Sequence, residues 1–201
     1  MDVILMIDTS GSMRGHKIAA VNDALENLID SLIEFSNTRE SVNIAVELFS
    51  KDVRWLNQSF QSVDKFSWTE PLCTGMTSMG AACISLAEFF KHNVTQDKTK
   101  ILIMSDGCPT DDYDEGLHHL YDLTLFKSAD RCAIALGEEA DTFALSQFTG
   151  DSNKVFKVTE IDKLLDTLLY SLLPISTSPI NNSPIESKAH SGCDVEEDEW
   201  D

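Results

Sequence analysis

The sequence predicts an α/β protein with a doubly wound, mostly parallel sheet, and three observations support this fold class. Short apolar runs alternate with longer segments of helical periodicity along most of the 201 residues, as they do in folds built from repeated β-α units. Two runs, within residues 3–7 and 98–105, are apolar without alternation, which is typical of strands buried on both faces of a parallel sheet. Each run leads into a carboxylate, Asp8 or Asp106, and ligands bind at the carboxyl ends of the strands in this fold class.

The first half of the chain contains three predicted strands and one long helix. Apolar residues recur at intervals of three or four between residues 16 and 37, which predicts an amphipathic helix. Residues 42–50 form a predicted strand, and residues 53–57 follow after only two residues, a connection suited to a hairpin. We therefore expect the second strand of this pair to run antiparallel at the sheet edge. Residues 58–75 lack periodicity and are predicted to be a long loop.

The second half repeats the alternation of strand and helix. The predicted strands are residues 98–105, 132–136 and 155–159, and the predicted helices are residues 79–92, 116–130, 141–148 and 162–173. With the three strands of the first half, they give a six-stranded, Rossmann-like sheet with one antiparallel edge strand and right-handed crossovers.

The charge and cysteine content of the chain limit the classes of partner and compartment. A formal net charge of −19 creates a negative field, which repels nucleic acid and anionic membrane surfaces. No apolar run approaches the roughly 20 residues that cross a membrane, and no basic leader opens the sequence, so we expect a cytoplasmic protein. The five cysteines are odd in number and lack Cys-x-x-Cys spacing, which favours free thiols over a disulfide framework or a zinc site.

The composition changes at Pro174, where Ser, Thr, Pro and Asn residues lead into an acidic run at residues 194–201. Too few apolar groups remain there to offset the entropy of ordering the chain. We therefore predict one folded domain at residues 1–173 and a disordered acidic tail at residues 174–201. The tail is interpreted as a solubilising extension, with a contact to a basic partner or to the chain's own metal site as the alternatives.

Three oxygen-bearing residues, Asp8, Ser10 and Ser12, stand at alternate positions directly after the first predicted strand. In an extended segment, residues two apart point the same way, so these oxygens can converge on one point. Oxygen is the ligand that Mg²⁺ and Ca²⁺ prefer. Taken alone, the pattern is equally compatible with a turn held by local side-chain hydrogen bonds, so a metal site requires further donors.

Two other segments supply such donors. Thr77 stands just before the predicted helix at residues 79–92, and Asp106 follows the predicted strand at residues 98–105. In a doubly wound sheet, the strand that ends at Asp106 neighbours the strand that ends at Asp8 across the switch point, so the loops meet over one crevice. The sequence therefore predicts a metal site formed by Asp8, Ser10, Ser12, Thr77 and Asp106.

These residues resemble the metal-ion-dependent adhesion site of the von Willebrand factor A domain, and the resemblance covers about residues 1–173. It is carried by Asp8-Thr9-Ser10-Gly11-Ser12, by Thr77 and by Ser105-Asp106-Gly107. It implies that Ser10, Ser12 and Thr77 coordinate a metal directly, whereas Asp8 and Asp106 coordinate it directly or through water. The implied cofactor is Mg²⁺, with Ca²⁺ or Mn²⁺ as alternatives. The implied function is the non-enzymatic capture of an Asp or Glu carboxylate of a protein partner.

The segment after the last of these donors, residues 106–113, is similar to one in the TerY-like bacterial subgroup, which is associated with tellurite resistance and stress response. Its pattern is Asp-Gly-x-Pro-Thr-Asp-Asp followed by an aromatic residue. The acids in and after it have two interpretations, a second cation site or recognition rim, or favourable charges at the N-terminus of the next helix. These acids are Asp111, Asp112, Asp114 and Glu115.

Two other functions compete with a binding module. A phosphatase-like, metal-dependent hydrolase would use Asp8 as nucleophile, but such chemistry usually needs a second carboxylate where Ser10 stands. No His or Lys accompanies the motif as a base. A regulatory subunit of a chelatase-type ATPase complex would differ from the binding module only in its partner. Neither phosphate-binding glycine motif, Gly-x-x-x-x-Gly-Lys-Ser/Thr or Gly-x-Gly-x-x-Gly, occurs in the sequence.

Overall fold

The structure is a computed structural model, which describes residues 1–93 and 98–173. Its strands are β1 (Asp2–Asp8), β2 (Asn43–Phe49), β3 (Val53–Trp55), β4 (Gln61–Ser62), β5 (Thr99–Ser105), β6 (Asp130–Leu136) and β7 (Val155–Val158). Its helices are α1 (His16–Thr38), α2 (Met79–His92), α3 (Tyr113–Tyr121), α4 (Thr124–Ser128), α5 (Thr142–Thr149) and α6 (Leu164–Leu172).

The strands form one sheet in the order β3-β2-β1-β5-β6-β7, with β1 near its centre. β1 is parallel to β2 on one side and to β5 on the other, and β6 and β7 continue the parallel arrangement. β3 runs antiparallel to β2 at the edge. From β1 the chain builds first one side of the sheet and then the other, so the switch point lies between β1 and β5. The predicted fold class, a doubly wound, mostly parallel sheet with an antiparallel edge strand, is confirmed.

One short strand is added to the six that the sequence predicts. β4 pairs antiparallel with the start of β2, where Asn43 lies opposite Ser62. It belongs to residues 58–75, which we predicted to be a loop. The fully buried Val63 follows it, and the Val63 N–H donates to the Val42 carbonyl at 3.0 Å. Two residues are too few to show a periodic pattern, so β4 has no sequence signal.

Both faces of β1 are covered by helices, which explains its unbroken apolar sequence. Val3, Leu5 and Ile7 belong to the hydrophobic core that includes residues of α1 and α6. Ile4 and Met6 belong to the core on the opposite face, which includes residues of α2, α3 and α5. All five side chains are at most 1% exposed. The end of β1 is therefore held rigidly from both sides.

The predicted helix at residues 116–130 is two helices, α3 and α4, and it begins earlier than predicted. Asp112 caps α3 by accepting a hydrogen bond from the Glu115 N–H at 3.0 Å. Asp130, which we predicted to end the helix, is the first residue of β6. The bend between the helices follows Tyr121, since α3 ends there and α4 begins at Thr124.

Gly116 lies inside α3 rather than at its start, because α2 and α3 approach each other at glycines. A Cβ atom added to Gly116 would lie 2.4 Å from the Gly80 carbonyl oxygen, and one added to Gly80 would lie 2.3 Å from the Asp112 carbonyl oxygen. Such distances are well below van der Waals contact. The sequence prediction took this glycine as a helix boundary, whereas the structure uses it for close helix packing.

Two sequence predictions concern the tail and the membrane. The predicted disordered tail at residues 174–201 lies outside the described residues. Within the described ranges, no helix is both long and apolar enough to cross a membrane.

Candidate metal centre

The candidate centre lies where β1 and β5 end side by side, beside the loop that leads into α2. Asp8 is the last residue of β1, and Asp106 directly follows β5. Two backbone hydrogen bonds join the loop after β1 to the loop before α2. The Thr74 N–H donates to the Thr9 carbonyl at 2.9 Å, and the Gly11 N–H donates to the Gly75 carbonyl at 2.9 Å. Together, the sheet and these bonds bring the three predicted donor segments to one place.

Asp8 is fully buried, and both of its carboxylate oxygens accept hydrogen bonds. Oδ1 accepts from the Ser10 N–H at 2.7 Å, and Oδ2 accepts from the Ser105 hydroxyl at 2.5 Å. Burial raises the pKa of Asp8 above its ordinary value, hydrogen bonds from Ser105 and Ser10 oppose this shift, and the charge of Asp106 adds to it. The carboxylate is therefore fixed in orientation and lies close to a second acid.

The two serine hydroxyls form a chain of donors that ends on Asp106. Ser12 Oγ donates to Asp106 Oδ1 at 2.7 Å, and Ser10 Oγ lies 3.0 Å from Ser12 Oγ. Since a hydroxyl has one proton and that of Ser12 is used on Asp106, Ser10 must be the donor to Ser12. This direction leaves lone pairs of both hydroxyl oxygens for a cation. Ser10 is 1% exposed and Asp106 5%, whereas Ser12 is exposed, so the chain of hydroxyls leads from the interior to the surface.

Thr77 lies close to the same place, next to Gly107. A Cβ atom added to Gly107 would lie 3.5 Å from Thr77 Oγ1 and 3.9 Å from Ser12 Oγ, so both hydroxyls border the space beside this glycine. The Thr77 backbone is held by Thr110, whose Oγ1 accepts from the Thr77 N–H at 3.1 Å and whose N–H donates to the Thr77 carbonyl at 3.0 Å. All five predicted donors thus border one cleft.

A lysine that the sequence analysis did not assign to the site also lies here. The Lys17 ammonium forms an ion pair with Asp106 Oδ2. We expected no His or Lys to accompany the motif as a base, and Lys17 is present there as the ion-pair partner of Asp106. Lys17 lies in the first turn of α1, where the helix dipole disfavours a cation, and no acid occurs in that turn. This unfavourable placement of a lysine was the feature of the sequence that could have indicated a carboxylate partner for Lys17 elsewhere in the fold.

Two of the acids beyond the centre act as helix caps. The Asp111 carboxylate accepts hydrogen bonds from the N–H groups of Gly80, at 2.9 Å, and Ala81, at 2.8 Å. It therefore caps α2, not the helix that follows it in sequence. Asp112 caps α3 as described above. The structure favours the helix-dipole interpretation for these two residues over a second cation site.

The donor set fits a hard divalent cation. It consists of two carboxylates and three hydroxyls, all oxygen, as Mg²⁺ and Ca²⁺ prefer. The space beside Gly107, bordered by the Ser12 and Thr77 hydroxyls, is one that a side chain would narrow. In the part of the chain that the structure describes, no group of three or more His, Cys, Asp or Glu residues could hold a metal ion. Among the described residues, a metal site would therefore depend on the hydroxyls as well as on carboxylates.

Several solved structures share this fold. One is the ArnB paralog VWA2 from Sulfolobus acidocaldarius, with a TM-score of 0.64 and 23% identity over 84% of this chain and 44% of that chain. A von Willebrand factor type A protein from Catenulispora acidiphila has a TM-score of 0.65 and 16% identity over 85% of this chain and 41% of that chain. Proximal thread matrix protein 1 from the mussel byssus, solved with a zinc-occupied MIDAS motif, has a TM-score of 0.60 and 15% identity over 85% of this chain and 45% of that chain.

This chain spans less than half the length of each of those three chains, and identities this low show the fold alone. No curated protein matches the sequence. A family model for the von Willebrand factor type A domain matches residues 2–171, nearly all of the described chain. On this match and on the sheet described above, the chain belongs to the von Willebrand factor type A domain family.

Proposed function

We propose that this protein is a non-enzymatic, metal-dependent binding module, in which a divalent cation on the candidate centre captures a carboxylate of a protein partner. The observation that carries the proposal is the chain of hydrogen bonds from Ser10 through Ser12 to Asp106, which lies beside the buried Asp8 at the switch point. The general role of this family in adhesion and protein interaction supports the proposal. Two of the structural relatives are a mussel byssus matrix protein and a pilus adhesin.

Each residue has a distinct role in this proposal. Ser10, Ser12 and Thr77 would hold the ion through their hydroxyl oxygens, whereas Asp8 and Asp106 would supply negative charge directly or through water. Since neutral hydroxyls add no charge, the bound ion would remain electrophilic and attract an Asp or Glu of the partner. Ser105 and the Ser10 N–H keep the Asp8 carboxylate oriented.

We propose Mg²⁺ as the ion, with Ca²⁺ or Mn²⁺ as alternatives, because every donor is an oxygen. The mussel relative carries zinc in its motif, so the ion must be identified for this chain by titration.

A hydrolase using Asp8 as nucleophile is the less favoured candidate. The Asp8 side chain is fully buried and both of its oxygens accept hydrogen bonds, which disfavours its attack on a substrate as a nucleophile. Lys17 is a basic side chain at the candidate centre, and its Nζ is already engaged by Asp106 Oδ2, so it is not free to act as a general base on a substrate.

The setting of the module is proposed from the segment at residues 106–113. Its similarity to the TerY-like subgroup supports a role in a tellurite-resistance or stress-response system, in the cytoplasm. In the structure, Thr110 holds the backbone of Thr77 and Asp111 caps α2. The sequence pattern of residues 106–113 therefore also has a structural role, because Thr110 holds the backbone of the proposed ligand Thr77. Service as a regulatory subunit of a chelatase-type ATPase complex is the alternative setting, and the partner's identity distinguishes the two.

The proposal is tested by Mg²⁺ titration calorimetry on the full chain, followed by affinity capture of partners with Mg²⁺ or with EDTA. Thr77→Ala is expected to weaken Mg²⁺ binding tenfold or more and to abolish Mg²⁺-dependent capture. Thr38→Ala is the matched control and should behave like the wild type. Thr38 is an exposed threonine at the C-terminal end of α1, whereas the candidate centre lies near the N-terminal end of that helix. Equal Mg²⁺ binding by Thr77→Ala and the wild type would refute the proposed site. Replacing the captured partner's acidic residue by its amide should abolish capture.

A further inference from the structure

The ion pair between Lys17 and Asp106 occupies the candidate centre itself. The side chain of Asp106 is 0% exposed and that of Lys17 is 28% exposed. Asp106 Oδ2 receives the ammonium, while Asp106 Oδ1 accepts from Ser12 Oγ at 2.7 Å. Both oxygens of this proposed ligand are therefore already engaged by side chains of the chain itself.

The Lys17 side chain also lies near the end of β6, in addition to the end of β5. A Cβ atom added to Gly137, the residue after β6, would lie 3.7 Å from Lys17 Cε and 3.9 Å from Lys17 Nζ. Lys17 therefore reaches from the start of α1 across the end of β5 to the end of β6. An ammonium held in this way is part of the site rather than a mobile surface charge.

Charge balance explains why a cation belongs there. Asp8 and Asp106 are two carboxylates in a largely buried cleft, and buried charges are costly unless they are paired. Lys17 offers one positive charge against the two negative ones. A divalent ion in the same cleft would be repelled by the ammonium and would have to share Asp106 with it.

We propose that Lys17 is a built-in counter-cation of this site, which stabilises the metal-free domain and competes with the divalent ion for Asp106. The inference rests on the proposed metal site and adds a determinant of its affinity. The domain stays folded when the metal leaves, and the metal binds more weakly than its five oxygen donors alone would allow. Binding is thereby kept reversible, because metal and ammonium exchange at one carboxylate.

The main test is calorimetric titration of Mn²⁺ into the full chain and into variants at Lys17. Lys17→Met is expected to bind Mn²⁺ about tenfold more tightly than the wild type, equivalent to about 1.4 kcal/mol. Lys17→Arg keeps the charge and should stay within about twofold of the wild type. Lys163→Met removes the same charge from an exposed pair with Glu160 at 2.8 Å, and it should also stay within about twofold. Thr77→Ala is the control for nonspecific binding. It lacks one proposed ligand, so the Mn²⁺ that it still binds reports other sites on this acidic chain.

A second measurement is thermal unfolding of the same variants in EDTA. Lys17→Met should unfold several degrees below the wild type, because its two carboxylates lack their counter-ion, whereas Lys163→Met should not. Lys17→Gln provides a second neutral variant, and both are purified in Mn²⁺ to protect the fold. If neither neutral variant folds even with Mn²⁺, the proposal is wrong, since the lysine is then needed for reasons other than charge balance.

The outcomes separate this inference from the proposed function. Unchanged or weaker Mn²⁺ binding by Lys17→Met, beside clear binding by the wild type, overturns the role of Lys17 and leaves the metal site intact. Absence of Mn²⁺ binding at the centre in both the wild type and Lys17→Met overturns the proposed function as well. If Lys17→Met binds Mn²⁺ and the wild type shows no binding, the proposal is supported, because the lysine then outcompetes the ion completely.

Discussion

The Ser105 hydroxyl donates a 2.5 Å hydrogen bond to Asp8 Oδ2 and thereby ties the last residue of β5 to the last residue of β1. The two residues are 97 positions apart in sequence, yet both are fully buried. This bond lies beneath the candidate centre, where it orients the Asp8 carboxylate without occupying the cleft. The role of Asp8 can therefore be separated from its contribution to the fold.

Asp8→Asn should abolish metal binding while leaving the fold intact. Its amide oxygen can accept from the Ser10 N–H and its amide nitrogen can donate to Ser105 Oγ, so both contacts can be kept, the second with its direction reversed. The change also removes one of two neighbouring buried acids, and burial already raises the pKa of Asp8. We expect a melting temperature in EDTA equal to or above that of the wild type.

The measurement for Asp8→Asn is thermal unfolding with Mg²⁺ and with EDTA. A metal at 100 times its Kd stabilises the wild type by about 2.7 kcal/mol, and the variant should show no such gain. A Mg²⁺-dependent gain of the same size in Asp8→Asn would contradict the assignment of Asp8 to the site.

Gly107→Ala should weaken metal binding without unfolding the domain. The new Cβ atom would lie 3.5 Å from Thr77 Oγ1 and 3.9 Å from Ser12 Oγ, which is ordinary van der Waals contact. The methyl group therefore fits the metal-free cleft but stands between two proposed ligands. We expect unfolding within about 1 kcal/mol of the wild type and a loss of Mg²⁺ affinity of at least about tenfold, or about 1.4 kcal/mol, by calorimetry. Wild-type affinity in this variant would show that the ion does not lie beside Gly107.

Gly116→Ala should destabilise the domain although alanine is the better helix former. Helix propensity alone would favour the alanine by about 0.5–1 kcal/mol, but its Cβ atom would lie 2.4 Å from the Gly80 carbonyl oxygen. Overpacking of this kind costs about 1–3 kcal/mol, so denaturant unfolding should show a net loss. Ala81→Gly, at an exposed position of α2, is the control for propensity and should cost about 1 kcal/mol. A gain in stability for Gly116→Ala would mean that α2 and α3 are farther apart than described.

Glu47 makes the stability of the domain depend on pH. It lies on β2 opposite Trp55 of β3 and is fully buried. Neither of its carboxylate oxygens has a hydrogen-bond partner of ordinary geometry among the described residues. Burial raises the pKa of Glu47 well above its ordinary value of 4.5, and the neighbouring Ser85 side chain only partly opposes the shift. The folded domain therefore contains a neutral glutamic acid at pH values where the unfolded chain has ionised it.

Stability should consequently fall as the pH rises above about 4.5 towards the raised pKa of Glu47. In that window the unfolded state binds fewer protons than the folded state, so the free energy of unfolding decreases, by about 1.4 kcal/mol per pH unit. Glu47→Gln cannot ionise and should show a flatter profile as the pH rises above about 4.5, with the higher melting temperature at the alkaline end. Glu26→Gln, exposed on α1, should follow the wild type. Parallel profiles for Glu47→Gln and the wild type would refute this assignment.

The sequence contained enough information for the sheet and for bringing the five proposed donors to one edge of it, because both depend on local patterns. The unbroken apolar run of β1 and the alternate oxygens at Asp8, Ser10 and Ser12 are visible within about ten residues of the printed chain. Knowing that parallel strands end at one edge then places Asp106 beside them.

Contacts between distant residues could not be predicted in this way. Lys17 and Asp106 are 89 positions apart, and Asp111 caps a helix that precedes it by about 30 positions. Gly80 and Gly116 each look like a flexible point in their own segment, and only the approach of the two helices shows why glycine stands there. These features depend on the packing of whole elements, which no local period encodes.

The backbone hydrogen bonds donated by Thr74 to Thr9 and by Gly11 to Gly75 have a consequence for how this surface can diversify. They fix the loop that carries Thr77 through main-chain atoms, which every substitution except proline at a donor position retains. In the same loop, Leu72 is 88% exposed and Met76 is 58% exposed, so their side chains contribute little to holding it. Changes at these two positions would alter the shape and polarity around the cleft while leaving the oxygen donors in place. The fold thus separates the exposed side chains around the candidate centre from the main-chain bonds that hold its loop, so this surface can vary while the proposed donors stay in place.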